Sequence, residues 1–267
     1  MNATGTTRAG LTTITVLTAV VGGAVLTTTG ASAAVTAGFQ LSSTDQTRAV
    51  DVDGVEAIDV EVGGADLTVR FGDGDQARLE VSGPDARGWS LRADGGELVV
   101  HGPDRGWNWF GPDWLRGGTT ATLTLPAELA GADLGLDLQA GRIDAEGEFG
   151  VVRIDVGAGS LNLEGAATAL DAEVNAGRAD ISLTGVREAD YRVSAGRLRA
   201  ELTSAPDAVT AEVSAGSLDL TVPDEEYDVR LERTAGSIDS ELRSSPDARR
   251  TITATVAAGS IDLHRED

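Results

Sequence analysis

Apolar and polar residues alternate with the two-residue period of a β-strand through most of the second half of the chain. Ile154, Val156 and Ala158 fall on one face of such a strand, and Leu161 and Leu163 on one face of the next. Between Ala158 and Leu161 the step is three. The same slip recurs from Ala176 to Ala179, Ala195 to Leu198, Ala215 to Leu218 and Ala258 to Ile261. An odd step reverses the face of a continuing strand, so the chain must bend there if both apolar sets are to stay inside. The pattern predicts two short strands per unit, with a corner at an Ala-Gly pair. In this reading the alanine points into the bend, and the glycine supplies backbone angles that other residues avoid.

The corner glycines are Gly141, Gly159, Gly177, Gly196, Gly216, Gly236 and Gly259, spaced 18 to 23 residues apart, and each follows an alanine. A unit of this size cannot bury its own apolar face, whereas stacked copies make one continuous core. The predicted architecture is all-β, a β-solenoid or β-helix-like stack of about seven two-strand units over residues 121–267. Seven copies at ~4.8 Å per layer give a stack roughly 34 Å long. A β-prism or sandwich is the alternative, because two-strand units also pair as hairpins. Residues 39–120 read as an irregular, strand-rich part of the same kind, with "IDVEVGGADLTV" from Ile58 and "LRADGGELVV" from Leu91 as degenerate copies.

Composition sharpens this picture. Aromatics make up only 4% of the 267 residues, and 34 glycines are spread among small aliphatics, which suits thin layers. The net charge of -22 argues against nucleic acid and anionic lipid as partners, since both require clustered positive charge. With no cysteine there is no disulfide framework, thiolate site or lipid-attachment cysteine. No charge occurs between Ala9 and Thr44, and Arg8, the apolar run Leu11–Leu26 and Ala31-Ser32-Ala33 follow the layout of an export signal. Residues 1–38 are therefore read as an apolar helix, either a cleaved signal peptide or an N-terminal anchor, with the remainder outside the cytoplasm.

The iterated units, such as "TAGSIDSEL" and "AAGSIDLHR", behind an export signal and a strand-rich start resemble the bacterial family of strand-repeat domains labelled putative adhesins, over about residues 50 to 267. The resemblance implies an envelope-associated protein of unestablished function, built as a right-handed strand stack. It carries no catalytic motif.

Two features are candidates for chemistry. Three positions after each corner glycine stand Asp144, Asn162, Asp180, Arg199, Asp219, Asp239 and Asp262, a ladder whose carboxylates repel across adjacent strands. Such a ladder invites a cation such as Ca²⁺, or pairing with Arg142, Arg178 and Arg197 two residues earlier. The plainer reading is a solvated face. The nine-residue calcium-roll pattern is missing, so no cofactor is expected.

The second feature is "RGWNWFGPDWLRGG", Arg105 to Gly118, where Trp107, Trp109, Phe110 and Trp114 cluster among turn residues. These rings plug an open end of the stack, contact a glycan or protein of the envelope, or dip into a bilayer interface. His101 and His264 are the only histidines, and no nucleophile, zinc or phosphate-loop motif is present, so the chain reads as non-catalytic. The function expected is structural or adhesive at the cell surface. The alternative is an extracytoplasmic sensor or regulatory domain that binds another envelope protein.

Overall fold

The structure is a computed structural model that describes residues 45–103 and 118–266. The predicted N-terminal helix and the aromatic residues Trp107, Trp109, Phe110 and Trp114 lie outside the described residues. Those described belong to one compact unit, Ala33–Asp267. They form two 11-stranded sheets, as a β-solenoid-like repeat would. Among them no helix is long and apolar enough to cross a membrane.

The chain enters with β1 (Asp45–Asp51), β2 (Ala57–Val62), β3 (Ala65–Gly72), β4 (Gln76–Ser82), β5 (Ser90–Asp94), β6 (Glu97–His101) and β7 (Thr120–Pro126). Regular layers follow: β8 (Asp133–Leu138) with β9 (Gly141–Glu148), β10 (Val151–Val156) with β11 (Ser160–Ala166), and β12 (Ala169–Val174) with β13 (Arg178–Thr184). Next come β14 (Glu188–Val193) with β15 (Arg197–Leu202), and β16 (Ala208–Val213) with β17 (Ser217–Val222). The chain finishes with β18 (Glu226–Arg233), β19 (Ser237–Ser240), the two-residue β20 (Arg243–Ser244), β21 (Arg250–Val256) and β22 (Ser260–Arg265).

Each layer places one strand in each sheet and pairs in parallel with its neighbours, so equivalent residues stack directly. Ile154 sits between Leu136 and Ala172, and Leu163 between Ala145 and Ile181. Inward positions from both sheets merge into one apolar core.

The corner differs from expectation in two ways. Ala158, Ala176, Ala195, Ala215 and Ala258 are exposed, not turned into the bend. The inward set steps instead from Val156 to Leu161, or from Val193 to Leu198, across a four-residue corner. Among the seven corner glycines only Gly141 has a positive φ, +98°. Elsewhere the requirement is space: a Cβ on Gly196 would lie 2.6 Å from the Gly177 carbonyl oxygen in the layer beneath. Parallel layers bring successive corners into contact, and any side chain would prise them apart.

"LRADGGELVV" is not a corner between sheets. Its strands β5 and β6 pair antiparallel within one sheet. Gly95 and Gly96, at φ +62° and +88°, form the two-residue turn with positive φ that a hairpin favours.

The layers also do not stack in chain order. The last pair, β21 and β22, inserts between β16/β17 and β18/β19, which leaves the sixth copy at the end. The reason lies in the side chains. Arg233 and Ser240 occupy columns filled by Val256 and Leu263 in the neighbouring layer, and a charge is costly in an apolar interior. The 23-residue step between Gly236 and Gly259, the longest, supplies the return path. At the other end β2/β3 lies between β6/β7 and β8/β9, and antiparallel β1, β4 and β5 complete the edges.

Candidate functional site

The stacking turns each outward position into a row. Beside the corner, the first-sheet row reads Arg142, Ser160, Arg178, Arg197, Ser217, Ser260 and Ser237. Arg178 and Arg197 are exposed on adjacent strands, and among the described residues neither guanidinium has a carboxylate within ion-pair distance. Arg142 reaches Asp144 at 3.9 Å.

Small residues at the corners leave an open groove of about 690 Å³ along several layers. It is lined by Gly159, Gly177, Gly196 and Gly216 with Arg178 and Arg197. The Ala-Gly pairs provide its depth, because any larger side chain there would fill it.

Two residues further on, the predicted ladder forms as Asp144, Asn162, Asp180, Arg199, Asp219, Asp262 and Asp239. Layer insertion places Asp262 between Asp219 and Asp239. Arg199 interrupts the row and donates hydrogen bonds to Asp219 from Nε and Nη2 at 3.3 and 3.2 Å. His264 adds a contact the sequence did not indicate: its Nε2 lies 3.7 Å from Asp219 and its Nδ1 3.3 Å from Glu241. Among the described residues no group of three or more His, Asp or Glu side chains is arranged to hold a metal ion. The Arg199 guanidinium relieves part of the carboxylate repulsion at Asp219.

A second acidic row runs along the other sheet through Glu61, Asp137, Asp155 and Glu173. Desolvation, and then the carboxylates of Asp155, Glu61 and Asp59, hold the Asp137 carboxyl above its ordinary range. Aligning the copies on residues after the glycine hides this row. Counting back from Val62, Leu138, Val156 and Val174 would have revealed it.

The Toastrack DUF4097 family model matches residues 55–267. No curated protein matches. Among solved structures, a "putative adhesin" from Bacteroides fragilis is 16% identical with a TM-score of 0.44, covering 86% of this chain and 100% of its own. A "putative cell adhesion protein" from Clostridium sporogenes is 9% identical with a TM-score of 0.36, covering 83% and 99%. A "putative lipid binding protein" from Parabacteroides distasonis is 12% identical with a TM-score of 0.38, covering 83% and 97%.

Proposed function

This chain belongs to the Toastrack DUF4097 family, and from that premise we propose that it is an exported, envelope-associated adhesive module without catalytic activity. In this reading residues 1–38 export or anchor the chain. Residues 39–120 form the irregular start that bears the aromatic stretch, and residues 121–267 form the repeat stack.

The observation that supports adhesion is the corner groove. It is long, open and repeated layer by layer, with Arg178 and Arg197 on one lip. A trough of this form suits a chain-like ligand engaged at several equivalent points, whereas small-molecule turnover favours an enclosed pocket. The two guanidiniums favour a glycan with anionic groups. Trp107, Trp109, Phe110 and Trp114 are proposed as further contacts, because indole rings stack on sugar faces while retaining a polar N–H. The Asp144, Asp180, Asp219, Asp239 and Asp262 row is assigned a solubilising role.

The test measures retention of the full chain on purified cell wall and on envelope membranes. Wild type is compared with an Arg178→Glu/Arg197→Glu variant and a Trp107→Ala/Trp109→Ala/Trp114→Ala variant, all matched for thermal stability. Strong wild-type retention that the arginine variant loses supports the groove. Retention untouched by either change, or none at all, refutes the adhesive reading.

A further inference from the structure

The end layer formed by β18 and β19 leaves apolar surface and backbone unsatisfied. Leu231 is 46% exposed and is the one large apolar side chain so exposed among the described residues, although its column is buried elsewhere in the stack. Val229, Ile238 and Leu242 at the same end are only partly covered. β20 pairs with β18 only at Glu226 and Tyr227, so among the described residues no strand lies beside the outer edge from Asp228 to Arg233.

The direction of the free groups on that edge follows from two bonds. The Thr234 N–H donates inward to the Val256 carbonyl, and the Tyr227 carbonyl accepts outward from the Ser245 N–H. Backbone groups alternate along a strand. Val229, Leu231 and Arg233 therefore direct both N–H and C=O away from β21, into the space beyond the end layer.

These three residues are symmetric about Leu231. We propose that the β18 edge binds a second copy of this chain, antiparallel, about a two-fold axis through Leu231. In that register Leu231 pairs with Leu231 of the copy, and Val229 with its Arg233, so all six free backbone groups on each strand are satisfied. On the outward face Arg230 lies opposite Glu232 of the copy, and Glu232 opposite its Arg230. Shifting the axis to Arg230 or Glu232 would set like charges directly against each other across the interface.

Arg230 already bonds Asp228 on its own strand through Nε at 3.1 Å, which holds its guanidinium on this face. An isologous interface of this kind closes on itself and caps an edge that would otherwise template open-ended pairing. The net charge of -22 per copy opposes association, so the dimer strengthens as salt screens the long-range repulsion.

Sedimentation equilibrium of the full chain in mild detergent tests the assignment. It compares wild type, Glu232→Arg, and the swap Arg230→Glu/Glu232→Arg, with matched circular dichroism melts. The expected result is a wild-type dimer, dissociation at least tenfold easier for Glu232→Arg, and recovery in the swap. A wild type that stays monomeric at every concentration overturns the proposal. So does a dimer indifferent to Glu232→Arg, which would place association elsewhere, including residues 1–38.

Discussion

Tyr191 lies directly opposite Ala211 on the neighbouring strand, with Ala172 opposite it on the other side. Across the corner of its own layer the mirror position is Ala200, and the same counting sets Ala172 against Ile181, Ala211 against Leu220 and Ala254 against Leu263. Each layer thus tends to place one small and one large residue at its centre, which keeps the interior volume near constant while the identities change. Tyr191 is the extreme case. Its ring fills the space that three alanines leave, but its hydroxyl is buried without a hydrogen-bond partner, and burial pushes the phenol well above its ordinary range.

Tyr191→Phe removes an unsatisfied buried group without changing the ring. It is expected to stabilise the protein by about 1 kcal/mol, because an orphan hydroxyl carries its full desolvation cost. Ala211→Leu, which overfills the same layer, is expected to cost about 1–3 kcal/mol. Denaturant titrations of both variants check the pair. A destabilised Tyr191→Phe would show that the hydroxyl has a partner.

Ile261 and Ile238 are register partners in adjacent layers, and their order along the stack is the reverse of their order in the chain. Ile261→Ala in the inserted layer should cost about 2–5 kcal/mol, as interior truncations do. Ile238→Ala, at the half-covered end, should cost well under half of that. Thermal melts at concentrations that keep the chain monomeric measure both. Equal costs would contradict insertion of the last pair.

Gly196→Ala should destabilise by about 2 kcal/mol or more, since the added methyl meets backbone that cannot retreat without opening the layers. Gly118→Ala, where a Cβ meets nothing within 4 Å, serves as the control and should be neutral or slightly stabilising. A harmless Gly196→Ala would show that the corners have slack.

Asp137 gives a pH dependence with a defined sign. Its carboxyl is held above the unfolded value, so the folded state binds the proton more readily. The resulting stabilisation is fully present below the unfolded pKa and is lost as pH rises through the folded one. Asp137→Asn should therefore raise the melting temperature at neutral pH and flatten its fall between mildly acidic and neutral conditions. The side chain reaches solvent, which screens the effect to below about 1 kcal/mol and makes it fade in salt. An unchanged pH profile would remove Asp137 from this role.

The alternation and the recurring Ala-Gly pairs were enough to specify two strands per unit, a corner between them and the repetition of both. A two-residue period and a forced change of face are local properties that need no knowledge of neighbours. The same holds for the row from Asp144 to Asp262, because equal spacing from the glycine implies stacking once a repeat is accepted.

Which layer lies next to which is not local. Insertion of β21/β22 was decided by burial: Ile252, Ala254, Val256, Ile261 and Leu263 can be enclosed on both sides, whereas Arg233 and Ser240 cannot. The reason for the glycines was likewise tertiary, since the carbonyl that excludes a side chain at Gly196 belongs to Gly177 in another layer. Sequence periodicity determined the unit. The order of the layers, the open end at Leu231 and the groove beside Arg178 and Arg197 followed from packing, in which the free-energy differences arise between residues far apart in the chain.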